Sequence, residues 1–126
     1  MIGCTCKVCS SNDLHDKRLR SSILIQVSGQ NYAIDAGPDF RQQMLREQIS
    51  QLDAIIFTHP HRDHTAGLDD VRAFNFFQKK PMDLYLTEAV EASIRKEYHY
   101  VFDGGWYPGL PELRFFNITN RPFYIG

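Results

Sequence analysis

Apolar and polar positions over the first third of the chain predict two short strands folded back on each other. Ile23, Leu24, Ile25 and Val27 form an apolar, largely β-branched run that stops at Ser28-Gly29-Gln30-Asn31, a turn composition. Tyr32, Ala33 and Ile34 then resume it, so residues 21–36 read as a hairpin, closed by Asp35-Ala36-Gly37-Pro38. Pro38 suits the first position of a helix with Asp39 near its positive end, and Phe40, Met44, Leu45 and Ile49 recur at helical spacing. Leu52 to Phe57 is apolar except for Asp53, the pattern of a strand buried on both faces. Leu68, Val71, Phe74 and Phe77 mark another helix, with Asp69 and Asp70 in its first turn. Asp83 to Leu86 predicts a strand, and Thr87 an N-cap for a helix carrying Val90, Ile94, Tyr98 and Val101 on one face. Beyond residue 102 the signals weaken to a loop from Asp103 to Gly109 and strands at 113–118 and 122–125. Alternation of this kind predicts a layered α/β protein with helices against a sheet.

Composition narrows the class. The 126 residues suit one domain, and 43% hydrophobic content is enough for a packed core. A net charge of −1, with the cations scattered, leaves no broad basic field for a long nucleic acid. The apolar runs are far too short to cross a bilayer, and no apolar stretch follows the initial Met-Ile-Gly-Cys-Thr-Cys as a secretory signal would require. The expectation is a cytoplasmic protein with no membrane partner. All three cysteines, Cys4, Cys6 and Cys9, lie within six residues. An odd number so close together cannot close a disulfide framework, and in a reducing compartment it points to a metal site.

The strongest chemical signal follows the Leu52–Phe57 run. In Thr58-His59-Pro60-His61-Arg62-Asp63-His64, three of the five histidines and one carboxylate fall within six residues. His59 and His61, two apart in extended backbone, project to the same side, while Asp63 and His64 are adjacent in a turn. Two imidazoles suit one zinc-like ion, and a carboxylate with an imidazole suits a second, harder one. The cluster sits between a buried strand and a helix, where ligands gather in open α/β sheets.

Thr-His-x-His-x-Asp-His after an apolar strand resembles the signature of the metallo-β-lactamase fold, a superfamily of binuclear metal hydrolases. Ile34-Asp35-Ala36-Gly37 looks like its Asp-x-Gly turn, and Thr65-Ala66-Gly67-Leu68 like the segment opening the helix behind the site. The cysteine cluster ahead of an Arg-Ser-Ser strand is similar to the phosphoribosyl cyclic phosphate phosphodiesterase (PhnP-like) branch. The resemblance implies the amino-terminal half of an αββα sandwich: a cysteine-containing zinc loop at 1–20 and an α/β half-sandwich at 21–126, a mixed sheet with helices on one side. It implies His59, His61, Asp63 and His64 as ligands of two catalytic zinc ions, with manganese as an alternative metal. Asp63 also orients a metal-bridging hydroxide, and Cys4, Cys6 and Cys9 hold a structural zinc. The implied activity is hydrolysis of a small, cyclic phosphodiester. A transfer RNA 3′-processing endonuclease, a thioester or lactam hydrolase, and a non-catalytic metal-binding fragment are the alternatives, with nucleic acid the less favoured partner.

Family members are about twice this length, and the remaining metal ligands are expected from a second half. His99 does not fit that role. The chain alone is therefore expected to bind metal weakly, to turn over near background, and to associate as a homodimer through an uncovered sheet face bearing Ile23, Ile25, Ile55 and Phe57. Smaller signals complete the reading. His15 is the nearest candidate for a fourth zinc ligand at the cysteines, although a solvated loop role is favoured. Asp35 is expected to accept hydrogen bonds behind the ligands rather than touch metal. Arg72 is expected to pair with Asp69, and Phe74, Phe76 and Phe77 to serve core or interface.

Overall fold

The computed structural model describes residues 2–104 and 107–125. The hairpin forms from β1 (Ile23–Val27) and β2 (Gln30–Ile34), antiparallel with Ile23 opposite Ile34. Only Ser28 and Gly29 make the turn, both at positive φ (51° and 78°). This is the two-residue geometry whose twist matches the strands. Gln30 and Asn31, turn-like in composition, are therefore strand residues.

The remaining strands run parallel to β2 in sequential order: β3 (Ala54–Ile56), β4 (Met82–Leu86) and β5 (Leu113–Asn117), giving a five-stranded mixed sheet. Parallel neighbours require crossovers, and sequential right-handed crossovers put every intervening helix on one face. The helices are α1 (Phe40–Arg46), α2 (Arg62–Thr65), α3 (Arg72–Gln78), α4 (Glu88–Glu97) and α5 (His99–Phe102). The main core lies between this layer and the sheet, with Phe40, Met44, Phe74, Val90 and Ile94 packed on Ala33, Ile55, Leu84 and Leu86. Among the described residues, no helix is long and apolar enough to cross a membrane.

The opposite sheet face is thinly covered. Tyr32, Ala54 and Tyr85 form a small cluster there with Ile56, Phe116, Ile118 and Ile125, while Ile23, Ile25 and Val27 are exposed. Ile55 and Phe57, expected on this open face, instead point into the helix-side core and are buried. Strand side chains alternate, so a six-residue apolar run necessarily serves both faces.

Several boundaries moved for local reasons. Pro38 precedes α1 and does not open it; Asp39 is the N-cap residue. α1 ends at Arg46 because Gln48 takes a left-handed conformation (φ 55°). The Gln48 and Ile49 amides then donate to the carbonyls of Leu45 and Met44. That pairing is a Schellman stop, and Ile49 keeps its helical spacing as the residue folded back against the last turn. Thr87 occupies the N-cap of α4 without a capping side-chain bond. The Leu68–Val71 segment is a 3-10 turn leading into α3, and residues 122–125 are not a strand. Of the predicted loop at 103–109, Gly105 and Trp106 lie outside the described residues.

Candidate metal centre

Two parallel strands end side by side, and the residues that leave them build the site. Asp35 follows β2 and Thr58 follows the β3 run; the Asp35 amide donates to the Ile56 carbonyl at 2.9 Å. Asp35 is 5% exposed and sits at φ 65°, a left-handed conformation that Asp tolerates better than most side chains. This bend turns its carboxylate toward the neighbouring strand end. There Oδ1 accepts the Thr58 amide at 2.8 Å, and Oδ2 accepts the Thr58 hydroxyl at 2.7 Å and His64 Nδ1 at 2.7 Å.

Proton counting then assigns both histidines. A carboxylate only accepts, so Thr58 Oγ1 must donate to Asp35. The hydroxyl oxygen, 2.9 Å from His59 Nδ1, is left to accept from that ring. His59 and His64 thus each engage Nδ1 in a hydrogen bond from behind, which leaves Nε2 as the ring atom for a metal. The rings converge: His59 and His64 centroids are 4.0 Å apart, and His59 and His61 4.7 Å. Asp63 Oδ2 lies 3.6 Å from His64 Nε2, with its carboxylate largely exposed. Ring contacts thus link His59 to both His61 and His64, with Asp63 beside His64. Three imidazoles and a carboxylate, two rings already fixed from behind, are a donor set that fits zinc-like ions.

Backbone contacts hold the loop in place. The Ala36 amide donates to the His64 carbonyl at 2.8 Å, and the Gly67 amide to the Ala36 carbonyl at 2.8 Å. A Cβ on Gly37 would lie 2.2 Å from the Asp63 carbonyl oxygen, and one on Gly67 2.2 Å from the Gly37 carbonyl oxygen. Both glycines are present because backbone meets backbone here. Across the loop, Arg62 pairs with Glu97 at 3.0 Å, and the Tyr98 hydroxyl donates to the Thr65 carbonyl at 2.8 Å. Asp69 accepts from the Tyr100 hydroxyl, and among the described residues no ion pair joins it to Arg72. Phe74 is core, whereas Phe76 and Phe77 are exposed. His99 lies on the surface at the start of α5.

The three cysteines form a separate cluster. The thiols of Cys4, Cys6 and Cys9 lie within 4.8 Å of one another, and the Cys9 amide approaches Cys6 Sγ at 3.5 Å. That amide, with the Cys4 and Cys9 thiols, pulls the Cys6 thiol down to about 7. A thiol half ionised at neutral pH suits a soft metal ion. His15 is turned away: its ring is almost fully exposed and pairs with Asp13 at 2.9 Å, as a solvated loop residue would. The loop is latched to the domain through Arg20, whose amide and guanidinium both bind Asp39 and whose carbonyl accepts from Gln43 at 2.6 Å.

Residues 30–122 match the beta-lactamase superfamily domain. The chain belongs to that family. Among solved structures, a diphosphatase from the PhnP family is 39% identical with a TM-score of 0.83, over 98% of this chain and 46% of that one. Zn(2+)-bound PqqB from Methylobacterium extorquens is 25% identical with a TM-score of 0.67, over 98% of this chain and 43% of that one. A curated relative, the octanoyltransferase of Porphyromonas gingivalis, is 44% identical over 99% of this chain but 25% of its own length. The chain thus spans less than half the length of the relatives it matches. The metallo-β-lactamase fold expected from the His-x-His-x-Asp-His motif is present, as a PhnP-like half with a mixed sheet and helices on one side.

Proximity in sequence did not signal Thr58, Glu97 or Tyr98. Thr58 was visible as part of the motif but not as the link between Asp35 and His59. Tyr98 read only as an apolar position on α4, although a buried tyrosine hydroxyl generally has a partner.

Proposed function

We propose that this chain is the metal-binding half of a zinc-dependent hydrolase acting on small phosphodiesters or diphosphate esters. The observation that carries the reading is the 39% identity, over nearly the whole chain, with a PhnP-family diphosphatase. The two reactions share one chemistry, in which water attacks phosphorus in line with a leaving alkoxide or phosphate. His59 and His61 would hold a first ion, and Asp63 with His64 a second. What bound divalent ions supply there is Lewis acidity toward a phosphoryl oxygen and acidification of water toward neutrality. The residues of this chain do the positioning. Asp35 and Thr58 hold both Nδ1 atoms from behind and leave Nε2 as the ligand atom, and the exposed Asp63 carboxylate is available to accept a proton from an attacking water. Cys4, Cys6 and Cys9 are proposed as a structural zinc site that shapes the amino-terminal loop.

A second reading is hydrolysis of an acyl thioester; the octanoyltransferase relative bears on it only in that its name implies an acyl group. Three quarters of that protein lies outside the match, so its name weighs less than the diphosphatase. The test is to assay the chain within a full-length family domain, with zinc or manganese, against a chromogenic phosphodiester, a nucleoside diphosphate ester and an octanoyl thioester. Metal-dependent turnover of either phosphorus substrate, lost on His59→Ala, is expected. Turnover of the thioester alone would favour the second reading.

A further inference from the structure

The short helix that carries Arg62, Asp63 and His64 cannot hold itself. It is a single turn of four residues, and the carbonyls near its end have no following turn to receive amides from. The turn's own bond runs from the Ala66 amide to the Arg62 carbonyl at 2.9 Å. Two later carbonyls are met from elsewhere, that of His64 by the Ala36 amide at 2.8 Å. The Thr65 carbonyl accepts from the hydroxyl of Tyr98, 33 residues later at the junction of α4 and α5. Tyr98 is 4% exposed. One residue before it, Glu97 binds Arg62 from the same helix end. The turn is therefore gripped from two sides, by the Asp35–Gly37 bend and by the end of α4.

Building on the metal assignment made above, we propose that Tyr98 is a positioning residue for Asp63 and His64, acting through the main-chain carbonyl of Thr65. Burial pushes its hydroxyl up to about 12, so it remains a proton donor throughout the neutral range. His59 hangs from the end of β3, and its ring is steadied through Thr58 and Asp35. His61 opens the turn itself, its carbonyl accepting from the His64 amide at 2.9 Å and from the Thr65 hydroxyl at 3.2 Å. Loss of the hydroxyl frees the end of the turn, and the shift falls on the pair assigned to the second ion.

The test is histidine-selective nitrogen NMR of the 126-residue chain during zinc addition, on the unmodified protein, Tyr98→Phe and a control. Phenylalanine keeps the ring and removes only the donor. The control, Ile94→Val, loosens the buried face of α4 without touching Thr65. In Tyr98→Phe the zinc midpoint read at His64 should rise about tenfold or more relative to that at His59, the size expected when support behind a metal ligand is lost. In Ile94→Val the three should keep their wild-type ratio. Unchanged midpoints in Tyr98→Phe, or equal weakening at His59 and His64, would overturn the positioning role while leaving the metal assignment intact. No zinc response at any of the three in the unmodified chain would overturn the metal assignment, and this proposal with it.

Discussion

Asp35 Oδ2 and His64 Nδ1 lie 2.7 Å apart, joining the end of β2 to a turn 29 residues later. The contact places a buried carboxylate behind an imidazole whose other nitrogen faces the site mouth. Support of this kind fixes ring orientation and tautomer, and raises the basicity of a ligand.

Asp35→Asn isolates that support. Asparagine also tolerates the left-handed backbone, so the bend should survive. The substitution removes the charge, however, and leaves one oxygen for three donors. Zinc affinity at the histidine cluster should fall about 10–100-fold with the fold retained. Competition against a chelator, with circular dichroism as the check on folding, measures both.

Gly37 tests the close approach. Alanine there drives a Cβ to 2.2 Å from the Asp63 carbonyl oxygen. Gly29→Ala is the control, since it meets nothing within 4 Å and bears only the strain of its positive φ. Gly37→Ala should cost about 1–3 kcal/mol or more, and Gly29→Ala about 1–2 kcal/mol. Urea midpoints of the two give the order. Only Gly37→Ala should also weaken metal binding.

At the amino-terminal loop, Cys6→Ser removes the central thiol. Zinc content by elemental analysis should fall by about one ion per chain, with increased amide exchange over residues 4–11, since a structural zinc contributes folding energy directly. Unchanged zinc in the variant would remove the case for a site there.

The Arg20–Asp39 latch carries a pH signature. The Arg20 amide, with its guanidinium, holds the Asp39 carboxyl below its ordinary value. A depressed carboxylate stabilises the folded state above its unfolded pKa, and that contribution is lost as pH falls through the folded one. Asp39→Asn should therefore lower the urea midpoint at neutral pH, and the two proteins should converge in acid below the carboxylate range. A gap independent of pH would show that the charge contributes nothing.

The hairpin, the α/β alternation and the metal motif were legible in the sequence because each is written in local spacing. What escaped depends on conformation or distance. Gln48 at positive φ ended α1 before Ile49, although the apolar period ran on. Nothing in the alternation of Ile55 and Phe57 distinguishes the helix-covered face from the open one, because β3 is apolar on both. At the site, the ligand cluster could be read directly, whereas the contacts behind it join Asp35 to His64 and Thr65 to Tyr98 across 29 and 33 residues. Asp69 was assigned to Arg72, one turn along its helix, but a closer donor, Tyr100, arrived from another element.

The central claim is that His59, His61, Asp63 and His64 bind divalent metal independently of the cysteines. The most direct measurement is a cobalt(II) titration, followed by visible absorption, of the chain with Cys4, Cys6 and Cys9 all replaced by serine. Weak but saturable binding is expected, with spectra of nitrogen and oxygen ligation, abolished when His59 and His64 are also replaced by alanine. Absence of binding, or binding that survives the loss of both histidines, would contradict it.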